Sequence, residues 1–349
     1  MPHPHRSTIV VIFLLGAASF ARGSAVAADV PALTDQASNT WIKRSPLPDS
    51  PISPCSGYEG SIGYFPQLGL VMSYAGHNQS GGEEQNAETW ILDPRTLRWE
   101  LRLPNDRPPG SCCNMQNVVD PVGNRFLRFR AFSGSHGWQW FRQIYLNNTS
   151  VWSYDPVENV WRNPRPIPEM GIRPQRCAAW DTHEQVAVVF GGEGSNEGTL
   201  VYDPYVNRWT KMDPDPQPRP RSGGNMAYDE ANRLHVLFGA QNIQDPHTWA
   251  YDLRKNEWRD LKPANQPNTD RNVAALAYDA ANRVIVGMIR GPEGEGRGDA
   301  DSGGHTDTWI LDVAKNEWRK MNPDVEPPGR GNRFRKPVYL PDHNVVLLE

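Results

Sequence analysis

Positive charge, cysteine and long apolar runs are all scarce in this sequence of 349 residues. Its 36 lysine and arginine residues are outnumbered by 40 aspartate and glutamate residues, and the net charge of -4 gives no general reason to expect binding to nucleic acid. Cysteine occurs four times. After residue 28 no segment approaches the ~20 consecutive apolar residues of a membrane helix. We therefore expect neither a nucleic-acid partner nor a transmembrane segment.

Motifs of several kinds of catalytic and cofactor site are also missing. The sequence has no His-x-x-x-His motif, no paired-cysteine metal motif and no motif around a serine nucleophile. The glycine-rich stretch 291–304 lacks the lysine of a phosphate-binding loop. We therefore expect no metal and no cofactor, and whether the protein is an enzyme stays open.

The N-terminus has the layout of a secretory signal. Arg6 supplies a positive start, the apolar stretch 9–20 is too short to span a bilayer comfortably, and the alanine-rich end of the segment fits a processing site. We predict that residues 1–28 are a signal peptide. The mature chain, residues 29–349, is then a soluble domain that is secreted or periplasmic.

One spacing recurs along the rest of the chain. Five aspartates each stand six residues before a tryptophan, with a short apolar run before the aspartate and a polar turn between the two residues. Often an asparagine stands two residues before the tryptophan. This pattern predicts a strand, a tight turn and a second strand, with the asparagine in a left-handed backbone conformation. The pairs are Asp93 and Trp99, Asp155 and Trp161, Asp203 and Trp209, Asp252 and Trp258, and Asp312 and Trp318.

A second hairpin pattern alternates with the first. It is clearest at residues 228–239 and 278–287, with a looser copy at 180–192. Two hairpins make a four-stranded sheet, and the tryptophans recur every 48 to 62 residues. No long stretch has a 3.6-residue apolar period, so helices are not expected. Four-stranded units bury both faces only when they pack radially against their neighbours, which predicts an all-β propeller.

These residues resemble the kelch family of β-propellers. Kelch blades carry a glycine pair after the second strand, an aromatic residue in the third and a tryptophan in the fourth, as in Gly191-Gly192, Tyr202 and Trp209. The resemblance covers residues 29–349 and implies one kelch-type propeller domain. It does not imply one activity, because the shared residues serve packing and turns in many binding proteins and a few enzymes. The copper ligands of the galactose-oxidase kind are not matched.

The ends of the chain predict how the propeller closes. Residues 39–46 look like an isolated fourth strand, and residues 335–349 look like the first hairpin of a blade. Together with the five repeats they give six four-stranded blades, closed by N- and C-terminal strands. Because the sequence stops at Glu349 in mid-strand, we expect the last blade to be truncated and to lack its third strand. A seventh blade stays open as an alternative.

Long, chemically varied loops all fall on one face of this propeller, around the mouth of its channel. Arginines recur there, seven residues before an aligned residue of the innermost strand in three blades. A ring of guanidinium groups would bind carboxylate or phosphate groups. The alternative is that the arginines bridge blades through acidic partners or stack on aromatic rings. The candidates are Arg173, Arg221 and Arg271, with Arg176, Arg219, Arg330, Arg333 and Arg335 close by.

The loop 132–145 on the same face is rich in aromatic residues. Trp138 and Trp140 would form a platform for a sugar ring, and Arg142 would add a polar contact. The alternative is that these rings pack against their own blade. Candidate proton donors and acceptors lie nearby, and two histidines with Asp301 would make a metal site, although each histidine alone fits a loop hydrogen bond equally well. These candidates are His77, His136, Tyr145, His247 and His305.

The four cysteines fall near the openings of three successive blades. Export permits disulfides, but the sequence does not determine their connectivity. Pairs of Cys55 with Cys112, of Cys113 with Cys177, and of Cys112 with Cys113 all stay open.

Two classes of function fit these features. The first is an exported, monomeric binding module that recognises an acidic carbohydrate or a protein partner on its loop-rich face. The second is a carbohydrate-active enzyme, a propeller-type lyase or epimerase on uronic or sialic acids, in which arginines neutralise a carboxylate and a histidine moves a proton.

Overall fold

Strands and tight turns make up almost all of the computed structural model. It describes residues 8–12, 33–44, 54, 60–77, 85–109, 116–130, 149–192, 194, 198–240, 243, 245–267, 274–290, 306–327 and 336–349. Helical structure among these residues is limited to one turn of 3-10 helix at Leu33–Asp35. The described part of the chain therefore contains no helix that is long and apolar enough to cross a membrane.

The strands follow one another at short intervals along the chain. In order they are β1 (Thr8–Ile12), β2 (Lys43–Arg44), β3 (Ser61–Phe65), β4 (Leu70–His77), β5 (Gln85–Asp93), β6 (Arg98–Arg102), β7 (Val118–Asp120), β8 (Arg125–Phe129), β9 (Val151–Asp155), β10 (Val160–Arg162), β11 (Cys177–Asp181), β12 (Val186–Phe190), β13 (Thr199–Asp203), β14 (Arg208–Lys211), β15 (Asn225–Asp229), β16 (Leu234–Phe238), β17 (Trp249–Asp252), β18 (Glu257–Asp260), β19 (Ala275–Asp279), β20 (Val284–Arg290), β21 (Thr306–Asp312), β22 (Glu317–Lys320), β23 (Pro337–Leu340) and β24 (Val345–Leu348).

The described strands form six four-stranded sheets. Five of them are antiparallel meanders of four consecutive strands, which we call blades one to five: β3–β6, β7–β10, β11–β14, β15–β18 and β19–β22. The first strands of neighbouring sheets contact each other in a closed cycle, β3, β7, β11, β15, β19, β23 and back to β3. This cycle is the inner wall of a propeller, and the predicted all-β propeller of four-stranded blades is confirmed.

Strands from both ends of the chain meet in the remaining sheet, which we call blade six. β23 and β24 form its inner hairpin and β2 is its outer strand. As predicted for a truncated last blade, the C-terminal hairpin does not continue into a third strand, and the third position is filled from the N-terminal segment. β1 lies there, parallel to both β24 and β2, with Thr8 paired to Val345 and Val11 to Lys43. The segment that supplies β1 is part of the predicted signal peptide.

The repeated tryptophans join each blade to the one before it. In blades two to six the indole Nε1 donates a hydrogen bond to a serine or threonine hydroxyl at the third strand of the preceding blade, whereas Nε1 of Trp99 in blade one has no acceptor among the described residues. We call these contacts the Trp–hydroxyl bonds. They join Trp161 to Thr89 (3.1 Å), Trp209 to Ser150 (3.0 Å), Trp258 to Thr199 (2.8 Å), Trp318 to Thr248 (3.0 Å) and Trp41 to Thr308 (2.7 Å).

The residue two before each tryptophan has the predicted left-handed backbone. Its φ angle is 54° at Asn159, 52° at Asn207 and 55° at Asn256, and even Leu97 of blade one has a φ of 55°. Asparagine suits this position because its short polar side chain makes the conformation less costly than other residues do. The turn chemistry predicted from the Asp-to-Trp repeat is therefore confirmed.

The C-terminal ends of the inner strands carry a second set of contacts between blades. Asp181, Asp229 and Asp279 end β11, β15 and β19, and all three are buried. Each carboxylate is hydrogen-bonded to the tyrosine hydroxyl of the following blade, on Tyr228, Tyr278 and Tyr339 respectively. In blades three, four and five the turn between the first and second strands is thus fixed to the following blade.

One of these aspartates also contacts a fully buried histidine. Nε2 of His235 lies 3.2 Å from Oδ2 of Asp181, and the imidazole packs on the Tyr228 ring with centroids 4.7 Å apart. Burial lowers the pKa of His235, although the Asp181 carboxylate opposes the shift. Burial alone would raise the pKa of Asp181, but hydrogen bonds from His235 and the Glu184 amide lower it to about 2. The folded protein therefore holds a neutral imidazole against an ionised carboxylate.

This pair makes stability depend on pH. On acidification the unfolded chain protonates His235 near the ordinary histidine pKa of about 6.5, whereas burial shifts this protonation to lower pH in the folded chain, so stability falls below pH 6.5. Asp181 adds a further loss from about pH 4 towards pH 2. We expect His235→Gln to reduce the slope of unfolding free energy against pH between 7 and 5 by up to about 1.4 kcal/mol per pH unit. Urea denaturation across this range measures the slope, and equal slopes in the two proteins would contradict the prediction.

Candidate functional site

The N-terminal ends of the inner strands meet at one mouth of the channel, where the sequence predicted the site. Most of the loops that were predicted to carry the site lie outside the described residues. The candidates in that part of the chain are His136, Trp138, Trp140, Arg142, Tyr145, Arg271, Asp301, His305 and Arg333. His77 ends β4 and is described by its backbone alone, which pairs with Gln85. These residues stay predictions.

A glutamine side chain spans the mouth from blade two. Gln116 lies just before β7, and its Nε2 donates to Oδ1 of Asn225 (2.9 Å) and to the carbonyl oxygen of Met226 (2.8 Å). Its Oε1 accepts hydrogen bonds from the backbone amides of Ala178 (3.1 Å) and Met226 (2.8 Å). One amide group therefore connects the inner strands of blades two, three and four.

Two asparagines extend these contacts around the channel. Asn117 donates from Nδ2 to Oγ of Ser61 in blade one (2.8 Å), and Asn225 accepts at Oδ1 from the amide of Leu276 in blade five (3.0 Å). We call Gln116, Asn117 and Asn225 the amide belt. The belt satisfies inner-strand amides that would otherwise need another hydrogen-bond partner, and it joins the inner strands of five neighbouring blades.

Arg221 belongs to the wall of the propeller. Its side chain is fully buried, and NH2 forms an ion pair with Oδ2 of Asp245, which precedes β17. The Asp245 carboxylate is fixed in turn by the amide of His247 at 2.9 Å. Arg221 thus has the acidic partner of the alternative interpretation, but the pair lies within blade four and does not bridge two blades. A ligand carboxylate would have to displace Asp245 to reach this guanidinium.

Arg176 is buried in the same manner. Its guanidinium donates to the carbonyl oxygen of Arg130 (2.9 Å) and to Oδ1 of Asn117, and it lies over the Phe129 ring with Cζ 5.7 Å from the centroid. Arg173 and Arg219, by contrast, are exposed. The described arginines of the predicted ring therefore divide into two buried residues, of which Arg176 joins blades two and three, and two exposed residues.

The glycine pair allows the backbone at Arg221 to pack closely against the end of β12. Gly191 has a φ of 70°, and a Cβ there would lie 2.7 Å from the carbonyl oxygen of Arg221. The amide of Gly192 donates to that same oxygen at 2.7 Å. Glycine is therefore required where the end of β12 meets the strand-entry segment of the next blade.

The four-stranded blades and the glycine pair are features of kelch-repeat propellers, and a comparison with family models agrees. A family model, the KLHDC2/KLHL20/DRC7 Kelch-repeats domain, matches residues 67–287. The chain belongs to the kelch-repeat family. No curated protein matches it. The matched range runs from blade one into blade five, so it includes the amide belt, Arg221 and the glycine pair of this kelch propeller.

Of the four cysteines the structure describes Cys177, and this residue is a free thiol. Cys177 begins β11 and is fully buried, and burial raises the pKa of its thiol to about 12. The pairing of Cys113 with Cys177 that the sequence left open is therefore not formed. Cys55, Cys112 and Cys113 lie outside the described residues.

Among the described residues of the mouth, the side chain of the candidate histidine His247 is bonded to an aspartate and not to an arginine. His247 is exposed, and its Nδ1 lies 2.7 Å from Oδ2 of Asp260 on the neighbouring strand β18. No three His, Cys, Asp or Glu side chains among the described residues are grouped so that they could hold a metal ion. His247 thus has the loop hydrogen bond that the sequence allowed as an alternative.

Sequence reasoning missed the amide belt. A signal was present, because Gln116 and Asn225 both stand three residues before the aligned residues Val119 and Tyr228 of the innermost strands. An amide at this position reaches into the channel of a propeller, where the free edges of the inner strands need hydrogen-bond partners. Because Gln116, Asn117 and Asn225 are uncharged, a search for charged and aromatic residues does not find them.

Proposed function

We propose that this kelch propeller is a binding module that takes an acidic segment of a protein partner on its loop-rich face. The observation that carries the proposal is the division of the arginines at the mouth. The guanidinium groups of Arg176 and Arg221 are buried and bonded within the propeller, whereas Arg173 and Arg219, in the segments that lead into β11 and β15, are exposed. Such a surface offers fixed positive charge to a partner and no described group that moves a proton.

Membership of the kelch-repeat family supports a protein partner, because kelch propellers commonly bind proteins. An acidic segment is favoured because guanidinium groups bind carboxylates in pairs of hydrogen bonds. We further propose, from the first 28 residues, that the binding takes place outside the cytoplasm.

Charge reversal at the exposed arginines tests the proposal. The double variant Arg173→Glu/Arg219→Glu should weaken binding to glutamate-rich peptides by at least about tenfold, while leaving the melting temperature unchanged. Binding is measured by fluorescence anisotropy at low salt with an array of labelled peptides, acidic and basic. Arg208→Glu is the matched control, because Arg208 is an exposed arginine on the outer strand β14.

Two results would contradict the proposal: acidic peptides that bind no better than basic ones, or equal binding by the double variant and the control. Polygalacturonate and hyaluronan are included in the same assay. Selective binding of either, lost in the double variant, would assign the face to an acidic carbohydrate instead of a protein.

A further inference from the structure

The propeller has a second face, opposite to the loop-rich one. It is formed by the tight turns that join the first strand of each blade to the second and the third strand to the fourth. We call it the turn face. In blades one to five every one of these turns lies within the described residues, so the turn face can be compared blade by blade.

Exposed apolar side chains are concentrated on the turn face of blades two and three. Five of the eight exposed large hydrophobic residues in the described part of the chain lie there, and the other three are spread over three connections between blades. Single apolar residues are ordinary on a protein surface, whereas a group of them marks an interaction surface. We call this group the turn patch; its members, each at least 37% exposed, are Val122, Val157, Val160, Tyr205 and Val206.

The corresponding outer turns of the other blades are polar or basic. We count from the aspartate that ends the third strand, because the second and third positions after it are exposed in all five blades. The apolar group in blades two and three is a local exception at these positions. They hold Val157 and Glu158 in blade two, Tyr205 and Val206 in blade three, Arg95 and Thr96 in blade one, Arg254 and Lys255 in blade four, and Ala314 and Lys315 in blade five.

Tyr205 is the anchored member of the turn patch. Its hydroxyl donates to Oδ1 of Asp120 at 2.9 Å, and Cζ of Arg125 lies 5.0 Å from the centroid of its ring. Arg125 also pairs with the same carboxylate, with 2.9 Å between Nε and Oδ2. The ring is thereby held in place although about half of the residue is exposed. An aromatic ring that is fixed before binding loses little conformational entropy when a partner covers it.

A substitution in the inner strand of blade three accounts for this contact. In blades four, five and six a tyrosine of the inner strand bonds to the aspartate of the preceding blade. Blade three has Trp180 at that position, and its buried Nε1 has no acceptor among the described residues. Asp120 of blade two is bonded instead to Tyr205, from the outer turn of blade three. This bond joins the two turns that carry Val122 and Val206.

Exposed positive side chains border the turn patch in the two neighbouring blades. Arg95 of blade one is 65% exposed, whereas the Asp93 carboxylate that pairs with it is 26% exposed. In blade four Lys255 is 64% exposed and its partner Asp252 is 13% exposed, and Arg254 is exposed beside them. A protein that covers the turn patch therefore meets the basic ends of these pairs first.

The acidic side chains of this region do not reverse that charge pattern. Glu158, in the outer turn of blade two, is bonded to Arg162 of its own blade. Glu184 and Glu230 are exposed in the inner turns of blades three and four, nearer the channel than the outer turns. The outer turns on both sides of the turn patch thus present arginine and lysine.

These observations describe one kind of partner. The apolar centre suits apolar side chains, and the basic turns on both sides suit carboxylates. A second copy of the chain fits poorly, because packing patch against patch would bring the basic turns of blade one against those of blade four. We propose that the turn patch docks a segment of a partner protein in which apolar residues are flanked by acidic residues. Because the turn face lies opposite to Arg173 and Arg219, this inference goes beyond the proposed function.

Short labelled peptides of designed composition test the proposal. Their centre is made of leucine, phenylalanine and valine, or of serine and glycine, and their flanks of glutamate, glutamine or lysine. Binding to the full chain is measured by fluorescence anisotropy at low salt. Peptides with an apolar centre and glutamate flanks should bind at least about tenfold more tightly than those with lysine flanks or with a serine and glycine centre.

Receptor variants identify the surface. The double variant Val122→Asp/Val206→Asp should weaken binding of the best peptide at least about tenfold and leave the melting temperature unchanged, because both side chains are exposed. Val325→Asp is the matched control: at 62% exposed it is comparable to Val206 at 67%, and it lies in the connection between β22 and β23. Arg95→Glu/Lys255→Glu should remove the preference for glutamate over glutamine flanks.

The same titrations in Arg173→Glu/Arg219→Glu separate the turn patch from the loop-rich face. The preference for an apolar centre should persist there, whatever happens to the binding of glutamate-rich peptides. Three results would overturn the proposal. In the first, the composition of the centre has no effect on binding. In the second, Val122→Asp/Val206→Asp binds as tightly as Val325→Asp. In the third, sedimentation shows that the unchanged chain self-associates and Val122→Asp/Val206→Asp does not, which would assign the turn patch to a second copy.

Discussion

Replacing Arg221 by alanine should lower the free energy of unfolding by about 3–5 kcal/mol, because the Asp245 carboxylate would be left buried without its counter-charge. The Arg221 side chain is fully buried, so solvent does not screen the pair. Urea denaturation followed by tryptophan fluorescence measures the change. Asp245→Ala should cause a loss of similar size, and the exposed Arg173→Ala should change stability by less than about 0.5 kcal/mol.

The double variant Arg221→Met/Asp245→Leu separates the ion pair from the packing. Replacing both charges by apolar side chains of similar size should recover most of the lost stability. If Arg221→Ala is instead as stable as Arg173→Ala, the ion pair contributes little and Arg221 is available to a ligand. The experiment also has a bearing on binding assays, because loss of binding in an Arg221 variant would reflect damage to the wall of the propeller.

Replacing Trp209 by alanine should cost about 3–5 kcal/mol, since the cavity would open between blades two and three. The Trp209 ring is buried against Phe129, at 5.6 Å between centroids, and Tyr202, at 4.9 Å, and its Nε1 bonds to Ser150. Differential scanning calorimetry measures the loss. Trp209→Phe should cost less, since it keeps most of the ring contacts and removes the Trp–hydroxyl bond.

Ser150→Ala is the matched control for the hydrogen bond. It leaves the ring in place and should cost about 1–3 kcal/mol, because the indole Nε1 would stay buried without an acceptor. A Trp209→Ala protein as stable as Val157→Ala, a substitution at an exposed turn residue, would show that the repeated tryptophans do not hold the blades together.

The features that the sequence predicted correctly are local ones. Asp155 and Trp161 lie within one hairpin, where strand pattern, turn chemistry and a left-handed Asn159 are all read from adjacent residues. The repetition of that hairpin then predicts the propeller, because four-stranded sheets of this length can bury both faces only against each other.

The features that the sequence did not predict depend on distant partners. Nothing in Thr8–Ile12 indicates that it pairs in parallel with Val345–Leu348, more than three hundred positions away in the chain. The arginine spacing predicted where Arg221 lies but not that Asp245, in the connection before β17, neutralises it. An ion pair of this kind depends on how a connecting segment folds back, which composition and spacing do not reveal.

The enzyme hypothesis depends most on contacts between distant residues, which the sequence did not predict. It required arginines at the mouth to hold a substrate carboxylate, with a histidine within hydrogen-bond distance. Two of the buried arginines are occupied, by Asp245 in the case of Arg221 and by backbone oxygens in the case of Arg176. His136 and His305 lie outside the described residues. A catalytic site on this face would therefore have to be built from the exposed arginines and the loops.

The Trp–hydroxyl bonds make the blades a circular chain of links, and one link differs from the rest. Nε1 of Trp99 has no acceptor among the described residues, so the junction between blades six and one lacks this bond and has others instead, such as the bond from the Tyr64 hydroxyl to the Asp342 carboxylate at 2.5 Å. The propeller therefore has six blades but not six equivalent junctions, and its symmetry is broken beside the blade in which strands from both ends of the sequence meet.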